Sequence, residues 1–88
     1  MFEKNPQTVE ESVRQLMIER AWLEQQDSVS DTDSLVEQGV IDSLTMMELI
    51  GFLERTYEIQ VTDNELIPEN FETLSAIASF VEQKRTSQ

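Results

Sequence analysis

Apolar residues in the first part of the chain recur at the spacing of one helix face. They are Val9, Val13, Leu16, Met17 and Leu23, with Arg20 on the same stripe. Thr8 and Glu11 fit a capping box, in which each side chain accepts a hydrogen bond from the other residue's backbone N–H. The pattern predicts a first helix over about residues 8–25. Ile18 and Trp22 lie off the stripe, so they either widen the buried face or remain partly exposed.

Residues 26–42 are rich in Asp, Ser and Thr, which favour turns and caps over helix interiors. They predict a long loop, which apolar anchors would tie to the core. The anchors are Val29, Leu35 and Val36. Within the loop, Asp33 or Ser34 is placed to cap a short helical turn through Glu37, which Gly39 would end.

A second helix is predicted to begin at about Ser43. Its apolar residues cover much of the circumference: Leu44, Met47, Leu49, Ile50, Phe52, Leu53 and Tyr57. Gly51 lies inside this helix, where glycine costs about 1 kcal/mol relative to alanine. Two explanations are open at this point, close approach of a partner or ligand and a tight crossing with another helix.

The segment after the second helix reads as a connector with one brief helical turn. Ile59–Val61 alternates like a strand but has no second strand to pair with, so an extended connector is expected. Asp63 is placed to cap a turn through Leu66, which Pro68 would end. Phe71 would then lie in a loop.

Thr73 is expected to head the last helix. Leu74, Ile77, Ala78 and Val81 recur at helical spacing after it. The chain is therefore predicted to be all-α, a bundle of three main helices and one short helix with a long loop between helices one and two. We expect residues 1–88 to form a single domain with its core over about 8–85 and with flexible ends.

The charge of the chain restricts its partners. Eighteen acidic and six basic residues give a formal net charge of -12. This charge repels nucleic acid and anionic lipid, and it favours proteins with basic patches. There is no cysteine, no targeting pattern and no run of membrane-spanning length. The expectation is a cytoplasmic monomer that does not insert into membranes.

The candidate chemistry lies at Asp42-Ser43-Leu44. Gly39, Val40 and Ile41 precede this step, so a turn and two apolar residues lead to a serine at the mouth of a helix. A serine becomes nucleophilic when a base takes its proton, usually histidine, and the chain has neither histidine nor cysteine. Ser43 is therefore expected to be modified by another enzyme and not to catalyse. Its alternative role is that of a plain helix N-cap.

The surroundings of this step resemble a known family. The segments that carry the resemblance are Leu35–Gly39, Asp42-Ser43-Leu44, Met47–Ile50 and Tyr57–Val61. In this order within an acidic helical chain they resemble the acyl carrier proteins and peptidyl carrier domains, as a free-standing member, over about Val9 to Val81.

The resemblance implies a covalent prosthetic group. Ser43 would carry 4'-phosphopantetheine, which a phosphopantetheinyl transferase moves from coenzyme A, with Asp42 and Leu44 as the motif residues beside it. The terminal thiol of the arm would hold an acyl or aminoacyl group as a thioester. The protein would then be a carrier and not an enzyme, serving fatty-acid, polyketide, nonribosomal-peptide or D-alanyl-type pathways.

The resemblance also implies a docking face on the second helix. Leu44, Met47, Glu48 and Gly51 lie where the family meets partner enzymes, acyl- or aminoacyl-activating ligases or synthases with basic docking patches. Glu48 matches the family's recognition glutamate.

Some positions depart from the pattern of fatty-acid carriers. Thr45 and Arg55 stand where those carriers are commonly acidic, and Gly51 replaces a bulkier residue near the ligand entrance. Thr45 and Arg55 make the face less negative and indicate different cognate enzymes, whereas Gly51 would open the cleft or shorten a contact. Residues 68–71 are more similar to carriers paired with adenylating ligases, including D-alanyl carriers.

Other functions remain as alternatives. An acidic helical interaction module without a prosthetic group would also explain the charge and the helices. Asp31, Asp33, Glu37 and Asp42 fall in the frame of a calcium-binding loop, but its centre has Leu35 and Val36 where an oxygen ligand and a glycine are needed, so no metal site is predicted. An enzyme acting alone would need a pair of carboxylates, and no spacing picks one out.

Overall fold

The computed structural model describes residues 8–23 and 29–87, and within these ranges the chain is helical, with no strand. The α-helices are α1 (Val9–Glu19), α2 (Ser43–Tyr57), the short α3 (Pro68–Phe71) and α4 (Leu74–Ser87), and a 3₁₀ turn spans Asp63–Glu65. Helix α4 packs against each of the other three helices. The all-α prediction of three main helices and one short helix is confirmed.

The core is made of apolar side chains from every helix and from the loop between α1 and α2. Its fully buried members include Val13, Met17, Leu35, Leu49, Leu53, Phe71, Leu74, Ile77 and Val81. Phe71 of α3 meets Phe80 of α4 edge to face, with ring centroids 5.2 Å apart. No polar or charged residue is buried among the residues that the structure describes. Burial of apolar surface is therefore the main force that holds α2, α3 and α4 together.

Helix α1 begins as predicted and ends earlier than predicted. The capping box at its start is present, since the Glu11 N–H donates to Thr8 Oγ1 at 3.1 Å and the Thr8 N–H donates to Glu11 Oε1 at 3.2 Å. The prediction of helix through residue 25 is wrong, because the helix stops at Glu19.

A Schellman turn ends α1. Ala21 takes a left-handed backbone with φ 64°. The Ala21 N–H then donates to the Ile18 carbonyl at 3.1 Å, and the Trp22 N–H donates to the Met17 carbonyl at 2.8 Å. Leu23 still reaches the core after this turn, which is why the apolar stripe ran past the end of the helix. Ile18 and Trp22 are half-buried against the core edge.

The described part of the long loop, residues 29–42, is fastened to the helices by hydrogen bonds. Arg14 of α1 donates to the Val29 carbonyl and to the Asp31 carboxylate, the latter at 2.8 Å. The Leu35 N–H donates to the Glu72 carbonyl at 2.8 Å, beside the junction of α3 and α4. The loop therefore holds α2 in a fixed relation to the rest of the core.

The short turn inside the loop also forms as predicted. Ser34, not Asp33, caps it, because Ser34 Oγ accepts from the Glu37 N–H at 3.2 Å. Gly39 ends it with φ 74°, a conformation that a side chain would strain. The Val40 N–H then donates to the Leu35 carbonyl at 2.9 Å.

Three expectations for the segment before α4 are wrong. Pro68 does not end a helix but begins α3, at the first helical position where the fixed φ of proline fits and its missing N–H costs nothing. Phe71 lies at the end of that helix and not in a loop. The preceding 3₁₀ turn is headed by Thr62 and not by Asp63. Thr73 does cap α4, because its Oγ1 accepts from the Ala76 N–H at 2.9 Å.

Candidate functional site

Ser43 is the first residue of α2, and the chain before it explains its position. After the Gly39 turn, Val40 and Ile41 point into the core and are buried. The next three residues, Asp42, Ser43 and Leu44, are exposed. Val40 and Ile41 therefore anchor the short segment that presents the Ser43 hydroxyl at the molecular surface.

Asp42 and Thr45 form a capping box around Ser43. The Thr45 N–H donates to Asp42 Oδ1 at 2.9 Å, and the Asp42 N–H donates to Thr45 Oγ1 at 2.7 Å. Asp42 is the N-cap, so the alternative in which Ser43 is a plain N-cap is wrong. Thr45 is the second half of this cap. The Ser43 hydroxyl takes no part in the capping.

The cap fixes the charge beside the serine. The backbone N–H of Thr45, followed by its hydroxyl, holds the pKa of the Asp42 carboxyl below its ordinary value. Asp42 is therefore ionised at neutral pH. The N-terminus of α2 carries the positive end of the helix dipole, which also favours a phosphate group placed on Ser43.

Asp42→Asn is expected to reduce the loss of stability on acidification. Because the folded-state pKa lies below the unfolded value of about 3.9, the ionised carboxylate stabilises the fold above that value. This contribution is lost as the pH falls through the folded-state pKa, and an Asn cap has no such loss. The backbone N–H groups of Ser30 and Thr62 likewise lower the pKa values of Asp33 and Glu65. The stability of the variant would therefore still fall on acidification, because these two carboxylates are retained. Thermal unfolding followed from about pH 5 to pH 2.5 tests this, and parallel curves for the two proteins would contradict it.

The predicted docking residues share one face of α2. Leu44, Met47, Glu48 and Gly51 are spaced at i, i+3, i+4 and i+7, which places them along one line of the helix. Leu44 is 72% exposed and Met47 is 60% exposed, although both are large and apolar. We call these four residues the α2 face. It begins one residue after Ser43, so an enzyme that reaches the serine meets this surface.

Of the two explanations that the sequence left open for Gly51, a tight crossing with another helix is wrong, and the close approach of a partner or ligand stays a prediction. A Cβ placed on Gly51 would lie 3.3 Å from Arg55 Nη1, and that is the only neighbour within 4 Å apart from the adjoining residues and the backbone of the helix itself. No other helix crosses there within that distance. Arg55, one turn later, therefore folds its side chain back over the glycine.

A small apolar cavity lies between α2, α3 and the long loop. Its volume is about 190 Å³, and its walls are Val36, Met46, Leu66, Ile67, Pro68 and Phe71. Met46 lies three residues after Ser43 on α2. Val36 is 52% exposed, so its predicted role as a buried loop anchor is wrong, whereas Val29 and Leu35 are buried as expected. Sequence reasoning missed the cavity, because its walls come from three separate segments.

Three of the four carboxylates of the calcium-loop frame have separate protein partners. Asp31 pairs with Arg14, Asp33 accepts from the Ser30 N–H at 3.0 Å, and Asp42 caps α2. No cluster of three or more potential acidic metal ligands occurs within residues 8–23 and 29–87. In the same residues, no helix has the length and apolarity needed to cross a bilayer.

Comparison with known proteins defines the class to which this fold and site belong. A family model described as the phosphopantetheine attachment site matches residues 11–81. The chain therefore belongs to the phosphopantetheine-binding carrier protein family, whose prosthetic group is 4'-phosphopantetheine. The resemblance seen in the sequence is confirmed.

Particular relatives are D-alanyl carrier proteins of Streptococcus pyogenes. Those of serotype M5 (strain Manfredo), serotype M49 (strain NZ131) and serotype M1 are each 36% identical over 76 residues, covering 86% of this chain and 94% of the relative. Among solved structures, a chain from a crystal structure described as an FAD-dependent dehydrogenase is similar, with a TM-score of 0.69 and 25% identity. That match covers 78% of this chain and 97% of the other.

The site fits the prosthetic group of the family. The Ser43 hydroxyl is exposed and uninvolved in the cap, the helix N-terminus favours an added phosphate, and no acidic residue other than Asp42 adjoins the serine in sequence. The cavity wall begins on the same helix at Met46. A pantetheine arm on Ser43 would therefore leave the protein surface beside apolar side chains.

Proposed function

We propose that Ser43 is the attachment residue for phosphopantetheine and that the protein carries a small acyl or aminoacyl group between partner enzymes. The observation that carries this proposal is the exposed Ser43 hydroxyl at the first position of α2, outside the Asp42–Thr45 cap and inside the matched range 11–81. Phosphopantetheine supplies, when bound, a terminal thiol that holds the cargo as a thioester.

The residues of the chain act as acceptor and scaffold in this proposal. Ser43 Oγ forms the new bond to phosphorus, the bond from that phosphorus to the adenosine 3',5'-bisphosphate part of coenzyme A breaks, and the hydroxyl proton passes to the transferase. The transferase must supply the base, because the chain has no histidine or cysteine. The Asp42–Thr45 cap keeps the serine at the end of a formed helix. The protein itself performs no acyl chemistry.

The α2 face is the proposed docking surface for the transferase and for the enzymes that load and unload the cargo. It has the composition of a protein contact, with two large exposed apolar side chains, Leu44 and Met47, beside the carboxylate of Glu48. Its position next to Ser43 supports this assignment. We place these exchanges in the cytoplasm, where coenzyme A is available to the transferase.

The cargo is proposed to be small. The cavity has a volume of only about 190 Å³, and the core residues Leu49, Leu53 and Ile77 are fully buried. A long acyl chain would have to displace these side chains. The cavity walls carry no charged residue, so the ammonium group of an aminoacyl cargo would remain in water. The similarity to D-alanyl carrier proteins supports a cargo of this size.

Mass spectrometry tests the attachment. The chain is incubated with coenzyme A and a broad-specificity phosphopantetheinyl transferase, and peptide mapping then locates the added mass. We expect one phosphopantetheine per chain, on the peptide that contains Ser43. A chain that gains no mass, or gains it elsewhere, would instead support an acidic interaction module without a prosthetic group.

The cargo is tested on the loaded protein. An adenylating ligase specific for D-alanine, supplied with ATP and D-alanine, is expected to add one alanyl mass to the arm. As a comparison, the transferase moves the acylated arm from acetyl-, hexanoyl- or dodecanoyl-coenzyme A onto the unmodified chain, with release of adenosine 3',5'-bisphosphate. Because the cavity is small, melting temperature should not rise further from the hexanoyl to the dodecanoyl form. A steady rise with chain length would contradict the small cargo.

A further inference from the structure

Arg20 forms an ion pair with Glu48, the only carboxylate of the α2 face. Its Nη1 lies 3.4 Å from Glu48 Oε1. Arg20 is the C-cap of α1, followed directly by the left-handed turn at Ala21. The end of α1 therefore places a cation beside α2, joining residues 28 positions apart in sequence.

This contact changes what the α2 face offers to a partner. The apolar side chains of Leu44 and Met47 are exposed and can contact a partner directly. The carboxylate of Glu48, in contrast, already has an ion-pair partner within the same chain. A partner's lysine or arginine that approaches Glu48 has to share the carboxylate with Arg20 or displace it. Both side chains of the pair are nearly half exposed, at 46% and 45%, so the pair is weak and open to exchange.

We propose that Arg20 is a specificity-determining residue that competes with the basic side chains of partner enzymes for Glu48. It weakens docking by partners that depend on a cation and has little effect on partners that depend on apolar contact with Leu44 and Met47. The inference rests on the proposed function, because it requires the α2 face to be the docking surface. It adds a residue outside that face to the control of docking.

A double-mutant cycle tests the competition. Arg20→Gln, Glu48→Gln and the double variant of the full chain are compared as substrates of a broad-specificity phosphopantetheinyl transferase, with KM and kcat measured separately. Arg20→Gln should lower KM about two- to fivefold, the range that an exposed ion pair allows, with kcat unchanged. Glu48→Gln should raise KM, and adding Arg20→Gln to it should then have no effect. The gain from Arg20→Gln should shrink at high salt.

Arg85→Gln is the matched control for net charge. Arg85 lies over the Tyr57 ring, with its guanidinium carbon 5.4 Å from the centroid, at the end of α2 opposite to Ser43. Glu48 and Tyr57 are nine residues apart on α2, which is roughly 14 Å along the helix axis. Because Arg85→Gln removes the same charge away from Glu48, KM should stay unchanged.

Three results would overturn the inference. They are an unchanged or higher KM for Arg20→Gln, an equal effect of Arg85→Gln, and a gain that persists when Glu48 is already replaced. Each of them leaves Ser43 loaded, so the proposed function would stand. A wild-type chain that the transferase does not load would overturn both proposals together.

Discussion

Ser43→Ala is expected to abolish phosphopantetheine loading while leaving the fold intact. The substitution removes the one oxygen that would accept the phosphoryl group. The Asp42–Thr45 cap does not use that oxygen, so the helix N-terminus keeps its hydrogen bonds. The free energy of unfolding should stay within about 0.5 kcal/mol of the wild type. Mass spectrometry after transferase treatment and urea unfolding measure the two effects.

Ser79→Ala is the matched control for this experiment. Ser79 is an exposed serine in α4 and lies within the range that the family model matches. Its variant should be loaded as fully as the wild type. If Ser43→Ala still gained the mass of phosphopantetheine, Ser43 would not be the attachment residue. If it lost the mass only because it had unfolded, the urea curves would show it.

The starts of the three main helices could be predicted from sequence because their signals are local. Thr8, Thr73 and the step at Asp42 each cap a helix through hydrogen bonds to residues three positions later. A side chain and a backbone N–H only three residues apart can form this hydrogen bond without any tertiary contact. The same locality explains the turn that Ser34 caps.

The end of α1 and the nature of α3 could not be predicted in this way. Ala21 adopts a left-handed backbone that alanine rarely takes, and the gain is the burial of Leu23 after the turn. Pro68 signals both the end of one helix and the start of another, and the burial of Phe71 decides between them. In both cases tertiary packing outweighs the local preference.

The candidate site also has features that are local to one helix and features that depend on contacts between distant segments. The position of Ser43 and the alignment of Leu44, Met47 and Glu48 follow from helix geometry alone, and the sequence was sufficient for them. The pairing of Glu48 with Arg20 joins two helices, and no periodicity along the chain reports such a contact. The apolar cavity was hidden for the same reason.

Phe71→Ala is expected to have the largest effect on stability, a loss of about 3–5 kcal/mol. Phe71 is 1% exposed, and its ring packs edge to face on Phe80. Helix α3 has only four residues, so it has almost no stability of its own and depends on this side chain. Since small domains are stable by only about 5–15 kcal/mol, the variant should unfold at much lower urea or temperature. Circular dichroism during urea and thermal unfolding measures the loss.

Two control variants distinguish the loss of the buried Phe71 ring from the loss of any apolar side chain at this cavity. Phe71→Leu keeps most of the apolar volume and should cost clearly less than Phe71→Ala, because a smaller cavity remains. Val36→Ala removes an apolar side chain from the wall of the same cavity, but Val36 is half exposed and its loss should be small. If Phe71→Ala cost no more than Val36→Ala, α3 would not depend on its buried ring. Because the cap at Asp42 is local to α2, Phe71→Leu should still be loaded on Ser43.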